Sequence, residues 1–365
     1  MRPSLSSRLP DFPWDTIAAA KARAGEHHDG IVDLSVGTPV DPTPAVARDA
    51  LTAASDAHGY PQVWGTPGLR AAIIAHLRTR WGAGELNEHQ VMPVIGTKWL
   101  VAWLPTLLNL GPGDVVVIPT TAYPTYRVGA ELVGATVVEC DDPAAVPETA
   151  KLIWINSPAN PHGAILSREQ LVAWIEAARR VGAVLASDEC YGEFAWDAEA
   201  FSVLDEALNG GSVDGLLAVM STSKESNLAG YRAGFVAGDE GLVRELLALG
   251  KHTGMMLGSP TLAAMQAVLS DRGHVTEQRE RYLARRRVMR AALASAGFRI
   301  DHSEGSLYLW ATRGEDCRTT VDWLAARGIL AAPGDFYGEA GRQHVRIALT
   351  ATDERIAAAA ERLTR

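Results

Sequence analysis

An apolar run, Leu216–Met220, ends in Ser221-Thr222-Ser223-Lys224, followed shortly by Ala229-Gly230-Tyr231-Arg232. A lysine held among hydroxyls and beside an arginine is a candidate nucleophilic, imine-forming amine. Three further apolar runs also end in reactive side chains. Val184–Ser187 leads into Asp188-Glu189-Cys190-Tyr191, and Val91–Ile95 into Gly96-Thr97-Lys98. Leu152–Ile155 leads into Asn156-Ser157-Pro158-Ala159-Asn160-Pro161-His162-Gly163. Free N–H groups at a helix start over Thr97 and Lys98, together with Ser221, Ser223 and Arg232, suit a phosphate dianion. A carboxylate at Asp188 is what a protonated pyridine nitrogen requires. Together these parts describe pyridoxal 5′-phosphate, whose ring takes up electrons while the protein orients and tunes it.

Each part has an ordinary alternative. A lysine after a strand is usually solvated, and Asp188 could cap a helix or pair with a cation. Arg346 in His-Val-Arg-Ile could be a strand-surface charge, and Gly96-Thr97-Lys98 only a helix start. Their coincidence at four strand ends favours the chemical reading. Other features stay ordinary. His27-His28 has no second ligand pair at zinc spacing, so no metal site is expected. The basic run Glu280–Arg290 reads as a solvated helix face. Gly111-Pro112-Gly113-Asp114 precedes a strand, and G-x-G-x-x-G is absent, which argues against a Rossmann dehydrogenase.

The elements that must hold these residues are strands and helices in alternation. Further strands are expected at Val115–Ile118, Thr136–Glu139 and Gly234–Val236, several of them apolar on both faces. Helices fit at Gly68–Trp81, Lys98–Leu108, Ser167–Arg180 and Gly241–Leu249. The pattern predicts an α/β fold with an open, mostly parallel sheet, whose ligands bind beyond the carboxyl ends of its strands. From about residue 274 the texture changes. A long charged helix (roughly 274–296) leads to strands near Phe298–Asp301, Leu307–Trp310 and His344–Leu349, with helices near Thr320–Arg327 and at the end. This predicts a large domain over 41–270 and a smaller α+β domain over 271–365. The Pro- and turn-rich residues 1–40 read as an arm lying on the small domain or on a partner subunit.

The 365 residues include 47% hydrophobic and 21% charged side chains, the balance of a soluble globular protein. A net charge of −9 argues against nucleic acid or an anionic membrane as partner. The three cysteines are scattered and odd in number, which suits reduced thiols. No opening apolar run resembles a signal peptide, and no stretch reaches the ~20 apolar residues that cross a bilayer. The expected location is the cytoplasm.

These segments resemble fold type I, class I aminotransferases over nearly the whole chain. Ser-Thr-Ser-Lys with Ala-Gly-Tyr-Arg is similar to the family's Schiff-base lysine and phosphate-arginine motif, and Asp-Glu-Cys-Tyr to its pyridinium-aspartate and ring-hydroxyl-tyrosine motif. Asn160-Pro161-His162-Gly163 resembles the Asn-Pro-Thr-Gly loop whose Asn bonds the ring hydroxyl, with His162 as the departure. The resemblance implies a seven-stranded large-domain sheet and catalytic roles for Lys224, Asp188 and Tyr191. It implies that Tyr123 stacks on the cofactor ring and that Arg346 clamps a substrate carboxylate, with the Gly37 backbone close by. It also implies that Tyr60 reaches the phosphate of a neighbouring subunit, hence a homodimer. Reaction between an amino acid and an oxo acid should follow ping-pong kinetics.

Leu-Pro-Asp-Phe-Pro-Trp-Asp (9–15), Ser-Asn-Leu-Ala-Gly-Tyr-Arg-Ala (226–233) and Pro-Gly-Asp-Phe-Tyr-Gly (333–338) resemble actinobacterial N-succinyldiaminopimelate aminotransferases. That likeness implies glutamate and 2-oxoglutarate as the amino-group pair. A distal succinyl carboxylate wants a second cation, for which Arg127, Lys98, Lys251 and His252 are candidates. Aspartate, alanine or aromatic specificity stays open, as does a lyase on the same fold. A ligand sensor is disfavoured, because no helix-turn-helix fits before residue 60.

Overall fold

The computed structural model describes Ser4 and residues 9–364. Its largest sheet has seven strands in the order Val91–Ile95, Ala233–Gly238, Leu216–Ser221, Val184–Asp188, Ala150–Asn156, Val115–Ile118 and Thr136–Glu139. All run parallel except Ala233–Gly238, which is antiparallel to both neighbours. Alternate residues of the inner strands feed two helical layers. Ile153, Ile155, Ala218 and Met220 join one core, while Leu152, Trp154, Leu217 and Val219 join the other. Burial on both faces is why these strands read as continuous apolar runs.

The helices have clear local causes. Pro67–Trp81 begins where the Thr66 hydroxyl accepts from the Leu69 N–H at 3.1 Å, carries Pro at its first position, and stops at Gly82 with φ +66°. Its Leu69, Ile73, Leu77 and Trp81 recur every four residues and are buried against the sheet. Each full burial of this kind stabilises by about 1.5–3 kcal/mol. Arg168–Val181 opens on a Ser167/Gln170 capping box and ends at Gly182, φ +66°.

A second sheet, antiparallel throughout, orders Ala332–Pro333, Val345–Ala348, Tyr308–Thr312 and Arg299–Asp301. Helices Gly273–Ser295, Cys317–Ala325 and Asp353–Thr364 accompany it. The opening segment is less peripheral than its composition suggests. Ala18–Gly25 is a helix, and Val32–Asp33 pairs in parallel with Ile329–Leu330. Ile17, Ala20, Ala24, Val32 and Leu34 belong to the same buried core as Met289, Leu293, Val321 and Leu324. Among the described residues no helix is long and apolar enough to cross a membrane.

Candidate active site

The functional side chains converge because of strand direction. Asn156, Asp188 and Ser221 are the last residues of three adjacent parallel strands, and Asn156 and Asp188 are register partners. Val91–Ile95 runs the same way, so Gly96-Thr97-Lys98 emerges at the same edge. The antiparallel strand starts there, which brings Arg232, just before Ala233, to the same place. One cavity of about 710 Å³ lies beyond this edge. Thr97, Lys98, Tyr123, Asn160, Asp188, Tyr191, Ser221, Ser223, Lys224, Arg232, Gly37 and Arg346 all line it. Tyr60 does not. It is 99% exposed on the single chain.

Gly96 has φ +68°, and a Cβ there would sit 2.2 Å from Nη2 of Arg232, so the turn can hold only glycine beside this guanidinium. Lys98 is held below the usual ammonium range, first by burial and then by the Arg232 charge. Two adjacent cations at a helix start suit an anion. Nearby, Ser221 caps its own turn by accepting from the Ser223 N–H at 3.1 Å, and the Lys224 ammonium donates to the Gly37 carbonyl.

Asp188 is buried. It accepts from the Tyr126 hydroxyl at 2.8 Å and from the Cys190 N–H at 3.2 Å, and burial lifts its carboxyl above the ordinary range. Its backbone carbonyl accepts from Asn156 Nδ2 at 2.7 Å, and Asn156 Oδ1 in turn accepts from the Asn160 N–H at 2.7 Å. This ties the 156–163 loop to the acid. Arg346 is buried too. Its guanidinium donates to Asn160 Oδ1 at 2.8 Å and to the Ser35 carbonyl at 2.7 Å. Among the described residues no acid pairs with Arg346 and no base pairs with Asp188. A buried arginine facing only neutral oxygens is ready for an anionic ligand. A buried carboxyl without a cation is complementary to a ring N⁺–H. The residues present therefore fit pyridoxal phosphate: Arg232, Lys98 and the Gly96 turn for its phosphate, Asp188 for its nitrogen.

Two expectations are refined. A side chain at Gly37 would meet the protein itself, with its Cβ 2.0 Å from the Tyr308 hydroxyl. Of the cations considered for a distal carboxylate, Lys98 lines the cavity and Arg127 lines a neighbouring one, while Lys251 and His252 line neither. The sequence reading missed several cavity residues, among them Lys21, Phe12, Trp14 and Tyr308. It also missed Tyr126, which stands in the first turn of the helix Thr125–Val133 and reaches Asp188 through its hydroxyl. Tyr308 had no local signal, because its neighbours are distant in sequence.

Two groups of side chains could converge on an ion, His27 with His28 and Asp29, and His76 with Glu193 and Glu225. In the second, the Arg272 guanidinium already bridges Glu193 and Glu225.

A family model for aminotransferase class I and II matches residues 29–363. A probable aminotransferase of Mycobacterium tuberculosis is 57% identical over 100% of this chain and 87% of its own length. The 4-dedimethylamino-4-oxo-anhydrotetracycline transaminase of Streptomyces rimosus is 56% identical over 98% of this chain and 99% of its own. Among solved structures, substrate-bound BacF from Bacillus is 26% identical with a TM-score of 0.90, covering 100% of this chain and 97% of its own. A probable N-succinyldiaminopimelate aminotransferase from Thermus thermophilus is 27% identical with a TM-score of 0.87, covering 97% of this chain and 99% of its own.

Proposed function

This chain belongs to the class I and II aminotransferases, pyridoxal-phosphate enzymes that exchange an amino group between an amino acid and an oxo acid, and on that footing we propose N-succinyl-LL-2,6-diaminopimelate and 2-oxoglutarate/glutamate as its pair, in the diaminopimelate route to lysine. The observation that carries the site assignment is the buried pair of complementary groups, Arg346 without an acid and Asp188 without a base, in one cavity with Lys224.

When bound, pyridoxal phosphate supplies the electron sink for the carbon that loses its amino group. The side chains do the rest. Arg232, Lys98, Thr97, Ser221 and Ser223 hold the phosphate. Tyr123 backs the ring, with its own phenol pushed up to about 12 by burial, so it stays neutral. Asp188 keeps a proton on the ring nitrogen, and Tyr126 and Cys190 fix the carboxylate that does so. Tyr191 and Asn160 bond the ring hydroxyl. Arg346 binds the substrate α-carboxylate and so aims the Cα–H toward Lys224, whose free amine moves that proton. A partner's copy of Tyr60 completes the phosphate site in a cytoplasmic homodimer. We divide the chain into an arm (1–40), a cofactor-binding domain (41–270) and a small domain (271–365).

The substrate assignment is supported by the likeness of segments 9–15, 226–233 and 333–338, by the name of the Thermus structure, and by Lys21. Lys21 stands on the cavity wall, with a side chain 64% exposed and only a 3.9 Å contact to Asp33. Of the cavity cations it is the one left for a distal carboxylate. A specific observation favours a second reading. Phe12 and Trp14 line the cavity, and the Streptomyces relative is named for a polycyclic ketone. A coupled assay should compare the succinylated substrate with aspartate, alanine, aromatic amino acids, unacylated diaminopimelate and amine transfer to a polycyclic ketone. The succinylated compound should lead, and Lys21→Ala should raise its KM by roughly fivefold, as befits an exposed ion pair. Preference for any other substrate overturns the assignment.

A further inference from the structure

Tyr308 is 3% exposed and opens the strand Tyr308–Thr312 of the second sheet. Its hydroxyl lies 3.0 Å from the hydroxyl of Tyr191, which follows a strand of the first sheet. The Arg346 guanidinium carbon sits 4.0 Å from the centre of its ring. Its hydroxyl also fills the space that a side chain at residue 37 would need, and the Gly37 carbonyl accepts from Lys224. One phenol thus touches the group placed on the cofactor hydroxyl, the substrate clamp, and the turn that receives the lysine.

We propose that Tyr308 is a positioning residue with two separable parts, a hydroxyl that competes for the Tyr191 proton and a ring that seats Arg346. The inference rests on the aminotransferase reading of the site. The proton's direction follows from the charges around the pair. Burial would push Tyr308 up, but Arg346 and Lys224 beside it turn its phenol downward, while burial and the Tyr308 charge push Tyr191 well up. Either hydroxyl can donate across the 3.0 Å contact, and the two cations beside Tyr308 favour Tyr191 as the donor. Cys190, Tyr123, Tyr282 and Tyr337 also face Tyr308, and none of them supplies a countercharge. A cofactor oxygen beside Tyr191 must share this proton with Tyr308. The ring acts separately, because an aromatic face under a buried guanidinium holds it by cation–π attraction whether or not the hydroxyl is present.

The test is a pair of variants of the holoenzyme. Tyr308→Phe should move the pH midpoint of the cofactor's visible absorption band to lower pH by about half a unit or more, because Tyr191 then donates to the cofactor oxygen alone. Its KM for both substrates should stay within about twofold. Tyr308→Leu should show the same spectral shift and a KM for both substrates raised about tenfold, through Arg346. A midpoint that Tyr308→Phe leaves unmoved, or shifts to higher pH, overturns the hydroxyl's role. A KM that Tyr308→Leu leaves unchanged overturns the ring's. If the unmutated holoenzyme shows no pH-dependent band, the site reading fails along with this inference.

Discussion

Asp188 and Glu189 are consecutive buried carboxyls with different surroundings. Asp188 faces the cavity, whereas Glu189 points into protein, where its Oε1 accepts from the Val203 N–H at 2.9 Å and the Ser187 and Ser202 hydroxyls lie beside its carboxyl. Burial pushes Glu189 up to about 7 from an ordinary 4.5. A folded value raised in this way favours the native state fully below about pH 4.5, and that contribution is lost as pH rises through about 7. Glu189→Gln keeps the acceptor and cannot ionise. It should therefore stabilise the protein at pH 8, on the order of 1–3 kcal/mol, and make little difference near pH 5. Denaturation midpoints at the two pH values check this, and a pH-independent difference between variant and parent would falsify it. His162, the departure from the family loop, is held at about 4 by burial and by His302, so it works as a neutral ring.

The turn after Val91–Ile95 shows how backbone can create a binding site. Gly96→Ala must move either the turn or the Arg232 guanidinium, since 2.2 Å is far inside contact distance. Loss of one charge-assisted bond to phosphate, about 1.5–3 kcal/mol, predicts cofactor affinity weakened roughly 10- to 100-fold. Fluorescence titration of apoprotein with pyridoxal phosphate measures it, and unchanged affinity counts against the assigned phosphate site. Most of this architecture was legible in the sequence. Val91–Ile95, Val115–Ile118 and Thr136–Glu139 have the expected bounds, because each is an apolar or β-branched run closed by turn residues. The helix Thr125–Val133 was not recognised, since Thr, Tyr and Val favour strands locally and packing overrides that preference. Ser259–Ser270, apolar on most sides, carries little amphipathic signal because it packs against Ala45–Ala53 as well as Pro67–Trp81. The cavity-lining residues at strand ends stood out from motif order. Tyr308 and Lys21 reach the cavity only through tertiary packing, which spacing along the chain does not encode.

Oligomer assembly decides whether Tyr60 has a role. Almost fully exposed on one chain, its ring is free to be covered by a second copy. In a shared-site dimer, Lys224→Ala and Tyr60→Ala subunits are each impaired alone. Co-assembled, one site in each mixed dimer recovers both Lys224 and Tyr60, so random mixing should restore about a quarter of the parental activity. Activity no greater than the sum of the separate variants would show that each site is made from one chain.

The opening segment bears on handling as well as on catalysis. Phe12 and Trp14 border the cavity, and the Trp14 ring packs tilted against Phe336, with centroids 5.4 Å apart. Trimming the chain past Trp14 would therefore strip aromatic wall from the cavity along with the segment.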